Sequence, residues 1–136
     1  MPVSGNSEGD AWVALVDDDE SLLRSFSRLL RAAGRRTLSY SSAESFLSDR
    51  GRVRIACLVL DVQLPGMSGL ELGQYLVRLA DDTPVIYVTA LDEPDIYIQA
   101  RRIGCAGFFH KSDSGEAVLA AIKRALDRTA GQPLEE

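Results

Sequence analysis

The sequence predicts an α/β fold, a (βα)5 doubly wound three-layer sandwich around a five-stranded parallel sheet. Three observations predict it. Short apolar runs alternate with longer amphipathic ones along the chain. The strongest runs are apolar at successive positions, as strands covered on both faces must be. No segment repeats another at a fixed period, so right-handed crossovers between parallel strands are the economical connection. At 136 residues the chain suffices for one domain with one core.

Each element has its own warrant. Strong strands are expected at Trp12 to Val16, Ile55 to Leu60 and Val85 to Thr89, with weaker ones at Arg36 to Ser39 and Gly107 to His110. The first helix carries Leu22, Phe26, Leu29, Leu30 and Ala33 on one stripe. Gly34 ends it, because glycine takes the left-handed cap conformation most readily. The second opens at Ser41 with Glu44 three residues on, the pattern of a capping box, and buries Phe46 and Leu47. The third runs from Gly69 to Ala80 through Leu70, Leu72, Leu76 and Leu79, and stops at the polar turn Asp81-Asp82-Thr83-Pro84. The fourth opens with Asp92-Glu93-Pro94, where proline's missing N–H would lack a partner anyway, and turns Ile96, Ala100 and Ile103 inward. The fifth, from Ser114 to Thr129, buries Val118, Ala121, Ile122 and Ala125.

Composition excludes several classes of function. Hydrophobic residues make up 46% and charged residues 26%, the balance of a globular domain. A net charge of −5 repels phosphate backbones, so no direct binding of nucleic acid by this domain is expected. The longest apolar runs, Ala11 to Val16 and Ile55 to Leu60, fall far short of the roughly 20 residues of a membrane helix. Met1 to Asp10 has neither the basic start nor the apolar stretch of a secretory signal, so a cytoplasmic location without membrane attachment is expected. Cys57 and Cys105 have no metal-ligand or multi-bridge spacing and read as buried small hydrophobes.

In doubly wound sheets the ligand crevice lies outside the carboxyl ends of the strands. Asp17, Asp18, Asp19 and Glu20 follow the first strand, Asp61 the third, Thr89 closes the fourth and Lys111 follows the fifth. The fold would bring these distant residues together. Clustered carboxylates repel unless a hard cation neutralises them, and Mg2+ suits two carboxylates and a backbone carbonyl because it prefers oxygen ligands and keeps several waters. Asp19 and Glu20 are better explained as the cap and first turn of the next helix. A carboxylate beside magnesium can attack phosphorus, since the metal cancels the repulsion between the anions, and Asp61 is placed for that. Pro65, Gly66 and Gly69 suit a compact loop close to the site. Lys111 could neutralise one phosphoryl oxygen and Thr89 donate a hydrogen bond to another.

Four segments, taken in order and spacing, carry a specific likeness: Leu15-Val16-Asp17-Asp18-Asp19-Glu20, Leu60-Asp61-Val62-Gln63-Leu64-Pro65-Gly66-Met67-Ser68-Gly69, Val88-Thr89-Ala90 and Gly104-Cys105-Ala106-Gly107-Phe108-Phe109-His110-Lys111. Over residues 11 to 128 the chain resembles the receiver domain of two-component response regulators. The resemblance implies the flavodoxin-like strand order 2-1-3-4-5. It also divides the chain into a flexible N-terminal leader (1–10), a receiver domain (11–129) and a C-terminal tail or start of a linker (130–136).

For function, the resemblance implies that Asp61 accepts a phosphoryl group from a phosphohistidine of a sensor histidine kinase. Asp18 would ligate Mg2+ directly and Asp17 largely through water, with Asp61 and the Gln63 backbone carbonyl completing the protein's share. Thr89 and Phe108 match the family's switch pair, which alters the face made by the fourth helix, fifth strand and fifth helix. Gln63 and Leu91 stand where the family meters water at the acyl phosphate, and Leu91 is expected to shield it. The chain would thus be a signalling receiver and not an enzyme, catalysing only its own phosphorylation and dephosphorylation. Its partners would be the kinase, a second copy through the switched face, to which Tyr97 belongs, and, where the chain is part of a longer regulator and not a stand-alone receiver, a C-terminal output domain.

Ser112 departs from the pattern, standing where the family usually has proline after the lysine, often through a cis bond. A cis bond before serine would cost about 2.5 to 4 kcal/mol, so a trans bond is expected. Phe108 lacks the hydroxyl a tyrosine would offer there. Two alternatives from other classes fit less well. A magnesium-dependent phosphatase of the haloacid dehalogenase type wants a second aspartate two residues past its nucleophile, where Gln63 stands. A flavodoxin-like binding module wants hydroxyl and glycine residues after the first strand, where this chain is acidic. His110, the only histidine, reads as an ordinary strand-end side chain.

Overall fold

The computed structural model describes residues 11–131. Strands β1 (Ala11–Val16), β2 (Arg36–Tyr40), β3 (Arg54–Asp61), β4 (Val85–Thr89) and β5 (Gly107–His110) alternate with helices α1 (Glu20–Ala32), α2 (Ala43–Asp49), α3 (Gly69–Arg78), α4 (Pro94–Ile103) and α5 (Gly115–Gly131). The strands form one parallel sheet in the order β2-β1-β3-β4-β5, which is the expected topology. The leader expected at 1–10 lies outside the described residues, as does most of the expected tail, while α5 runs on to Gly131. Among the described residues no helix is long and apolar enough to cross a membrane.

Successive strand residues point to opposite faces, and both faces of the central strands are covered, which is why β1, β4 and the interior of β3 are apolar at successive positions. Val13, Leu15, Cys57, Val59, Ile86 and Val88 pack against Leu23, Leu30, Val118, Ala121 and Ile122 of α1 and α5. Ala14, Val16, Leu58, Leu60, Val85 and Tyr87 pack against Ala43, Phe46, Leu72, Leu76, Ile96 and Ala100 of α2, α3 and α4. One irregularity breaks the ladder. Trp12 pairs with Ile55 and Val13 with Cys57, so Ala56 is an extra residue on β3, a β-bulge.

The helix ends agree with expectation at some points and correct it at others. Asp19 caps α1 by accepting from the Ser21 and Leu22 N–H groups at 3.0 and 3.2 Å. The inner stripe of α1 is Leu23, Ser27 and Leu30, with Leu22, Phe26 and Leu29 half-buried beside it and Ala33 exposed at the cap. The apolar count had favoured a stripe one position over; Ser27 takes the central place because its hydroxyl has Ser39 and Thr37 at 3.2 and 3.4 Å. The capping box expected at Ser41 and Glu44 does not form. Ser42 is the cap, accepting from Ser45 N–H at 3.0 Å, and Glu44 reaches instead to the Met67 N–H at 2.8 Å. The box stands at α3, where Ser68 accepts from Glu71 N–H and Glu71 from Ser68 N–H.

Helix α3 also ends two residues before the expected Ala80, and Leu79 is exposed. Ala80 sits at φ 59, the left-handed region, while its N–H and that of Asp81 donate to the carbonyls of Val77 and Leu76. These two bonds close the helix as a Schellman cap, with alanine where glycine is favoured. On the inner side of α3, a Cβ at Gly73 would meet the Tyr87 hydroxyl at 1.9 Å, so glycine is what lets β4 place a tyrosine under this helix. That hydroxyl is buried and has no hydrogen-bond partner among the described residues. Of the cysteines, Cys57 is buried as expected, but Cys105 is half-buried, because β5 is an edge strand and Cys105 lies just before it; both thiols are free.

Candidate functional site

The two-residue period of the strands decides which strand-end side chains meet. Asp17 continues the series of Val13 and Leu15, Asp61 that of Cys57 and Val59, and Lys111 that of Phe109, all on the α1 and α5 face. The main-chain ladder runs one step past the strands and fixes these positions. Asp17 N–H donates to Tyr40 O at 3.0 Å, Val62 N–H to Val88 O at 3.0 Å and Lys111 N–H to Thr89 O at 2.8 Å. The loop after β3 is held equally closely, for Gly69 N–H donates to Val62 O at 2.9 Å and a Cβ at Gly69 would stand 2.0 Å from the backbone oxygen of Asp61. Gly66, at φ 76, lies against the Glu44 carboxylate that holds Met67.

The structure thus brings Asp17, Asp18, Asp61 and Lys111 together. Carboxylate oxygens of the three aspartates lie within 4.8 Å of one another. Asp61 is 3% exposed and Asp17 5%, while Asp18 is exposed. The Lys111 Nζ lies 3.0 Å from Asp17 Oδ2 and 3.1 Å from Asp61 Oδ2. The other oxygen of Asp61 accepts from Gln63 N–H at 3.1 Å, and Asp17 Oδ1 accepts from Asp19 N–H at 2.9 Å.

Burial and then the charge of Asp17 push the Asp61 carboxyl up to about 6, against the opposing pull of Lys111 and the Gln63 amide. For Lys111, burial alone would lower the ammonium's pKa, but its bonds to Asp17 and Asp61 outweigh that and raise it. Three carboxylates facing one ammonium leave a negative excess that a divalent cation would offset. The donors are all hard oxygens in close reach of one another, which fits Mg2+.

The remaining expected residues flank this cluster. Thr89 is buried and follows the series of Val85 and Tyr87; its Oγ1 accepts from Leu91 N–H at 3.0 Å. Phe108 is half-buried on the α4 side, with its ring edge-on to Tyr97 at 5.2 Å, and Tyr97 is held in turn by Arg101. Leu91 is half-buried against the core beneath α3 and α4, and the Gln63 side chain is exposed. Ser112 follows Lys111 through a trans bond, since no peptide bond among the described residues is cis.

Three contributors escaped the sequence reading. Gly69 was legible as a turn residue, but its contact with the Asp61 backbone was not. Glu44 was assigned to its own helix. His110, expected to be an ordinary strand-end side chain, has its ring nitrogens 3.1 Å from the Ala90 carbonyl oxygen and 2.8 Å from the Ser112 hydroxyl; the signal that could have pointed to it was the unusual serine two residues on.

A family profile described as the response regulator receiver domain matches residues 13–123. The chain is 35% identical over 120 residues to the response regulator protein TmoT of Ectopseudomonas mendocina, covering 88% of this chain and 54% of TmoT. It therefore spans about half the length of the curated relatives it matches. Among solved structures, the response regulator StyR superposes with a TM-score of 0.82 at 35% identity, over 89% of this chain and 61% of StyR. The crystal structure of FixJ-N superposes with a TM-score of 0.79 at 32% identity, over 87% of this chain and 94% of that one.

Proposed function

The chain belongs to the response regulator receiver domain family of two-component signalling, and on that footing we propose that Asp61 is its phosphoacceptor. The observation that carries this reading is the setting of the Asp61 carboxylate. It is buried at a strand end, with one oxygen on the Gln63 amide and the other on Lys111, beside Asp17. An oxygen of Asp61 attacks the phosphorus of a phosphohistidine on a sensor histidine kinase, the P–N bond breaks, and the leaving imidazole takes the electron pair and then a proton. The product is an acyl phosphate.

Asp17, Asp18, Asp61 and the Gln63 backbone carbonyl would hold Mg2+, which when bound cancels the repulsion between acceptor and phosphoryl group. Lys111, already between Asp17 and Asp61, pairs with a phosphoryl oxygen. Thr89 Oγ1 releases Leu91 N–H and donates to another phosphoryl oxygen, and Phe108 turns into the space it leaves, altering the α4, β5 and α5 face. Leu91 and Gln63 set how readily water reaches the acyl phosphate.

The role is signalling, with no turnover beyond the chain's own phosphorylation and dephosphorylation. In this reading 11–129 is the receiver unit, followed by a C-terminal tail or the start of a linker. A cytoplasmic kinase partner, a second copy at the switched face and an output domain in the longer protein follow, and this domain makes no contact with nucleic acid or membrane. The test is to treat wild type and Asp61→Asn with a small phosphodonor and Mg2+ and weigh both intact. Wild type alone should gain one phosphoryl group, labile to hydroxylamine and dependent on Mg2+. Equal gain by Asp61→Asn would overturn the assignment.

A further inference from the structure

His110 closes β5 and is half-buried, and its ring reaches both the loop after β4 and the turn after β5. Ser112 N–H lies 3.1 Å from Nδ1, and an amide can only donate, so Nδ1 carries a lone pair there. The Ser112 Oγ lies 2.8 Å from the same nitrogen, where its O–H can only share that one lone pair as a second donor. The ring proton is left on Nε2, which lies 3.1 Å from the carbonyl oxygen of Ala90 and donates to it. The partners around the ring thus match the tautomer with its proton on Nε2.

The residues at the two ends of this bridge matter. Ala90 follows Thr89, and Ser112 follows Lys111. The turn after β5 is closed further by His110 N–H donating to Asp113 Oδ2 and Asp113 N–H donating to His110 O, each at 2.9 Å. A proline at 112 could offer neither the N–H nor the hydroxyl that His110 engages. Histidine at 110 and serine at 112 therefore act as a pair. We infer that His110 is a positioning residue, its ring fastening the segment after Thr89 to the segment after Lys111 so that the hydroxyl and the ammonium are presented to the phosphoryl group together.

This rests on the reading of Asp61 as phosphoacceptor, and the test separates the two. In the 136-residue chain, the rate of phosphoryl gain from a small phosphodonor is measured by intact mass, and the Mg2+ affinity by calorimetry. His110→Ala should lose about tenfold or more in rate, because a catalytic group displaced by a fraction of an ångström loses much of its effect. Its Mg2+ affinity should not fall, since His110 touches no proposed ligand and the ammonium it positions is a positive charge beside Asp17 and Asp61. His110→Gln, which can still donate to the Ala90 carbonyl, should recover part of the rate. A wild-type rate in His110→Ala, or a rate loss matched by an equal loss of Mg2+ affinity, would overturn the inference.

A second readout does not need the variants to fold. Imidazole nitrogen resonances of the wild-type chain should show the proton on Nε2, and a proton on Nδ1 would equally overturn the bridge. Failure of wild type itself to gain a phosphoryl group would instead refute the acceptor assignment, leaving the tautomer measurement intact.

Discussion

The backbone oxygen of Asp61 occupies the space that a Cβ of residue 69 would need, 2.0 Å from where that atom would be built. The first turn of α3 is therefore packed directly onto the main chain of the acceptor, and any side chain at Gly69 must move one or the other.

Gly69→Ala should destabilise the domain by about 2–3 kcal/mol, the range for overpacking against backbone that cannot relax cheaply. Because the displaced atom belongs to Asp61, Mg2+ affinity should fall as well. Urea unfolding and calorimetry measure the two, and a variant of wild-type stability would show that the loop yields easily.

The raised pKa of Asp61 gives a signed dependence on pH. Its folded value of about 6 lies above the ordinary 3.8, so in the absence of metal it contributes stability that is complete below about pH 4 and lost as pH rises through 6. Asp61→Asn removes that loss, so its stability advantage over the wild type should grow between pH 4 and 7. Mg2+ must displace the same proton, and its affinity for the wild type should rise across that window. A difference in stability that stays flat with pH would contradict the assignment of the shift.

Tyr87 and Gly73 make a coupled pair. Tyr87→Phe removes a buried hydroxyl that has no hydrogen-bond partner among the described residues and should gain about 1 kcal/mol. Gly73→Ala alone should cost about 2–3 kcal/mol, because its Cβ meets that hydroxyl at 1.9 Å. Together the changes should be much less harmful than their sum, and strict additivity in a double-mutant cycle would rule out the contact.

Ala80→Gly should raise stability by about 0.5–1 kcal/mol, since alanine is strained at φ 59 and glycine is not. The site lies at the far end of α3 from Gly69, so phosphorylation should be unchanged. A lower unfolding midpoint would show that the cap is not under strain.

Leu91→Ala should shorten the life of the phosphorylated form a few-fold, because a half-buried apolar side chain beside Thr89 cannot orient an attacking water and its loss admits one. Decay followed by intact mass at the wild-type rate would show that shielding comes from elsewhere.

What could be read from the sequence depended on what each signal reports. Uninterrupted apolar runs mark strands buried on two faces, so β1, β3 and β4 were legible, and with them the strand-end acids. The contact between Asp17, Asp61 and Lys111 then followed from topology. The capping box was misplaced because Ser41 and Ser42 both offer a hydroxyl, and only the Met67 amide across the fold shows why Glu44 turned away from its own helix. The stripe of α1 was misjudged for a similar reason, since Ser27 is made tolerable inside by hydroxyls on β2. Single-residue pattern carries no information about such partners.

The extra residue at Ala56 has a consequence out of proportion to its size. An unbroken pairing continued from Trp12 and Ile55 would set Leu60, not Asp61, abreast of Asp17. Ile55 leans toward the layer of α2, α3 and α4, whereas Cys57, two places on, points to the opposite layer, so the strand changes phase between them. The electrostatic heart of the molecule is thus timed by a hiccup near the other end of β3, where no charge is involved.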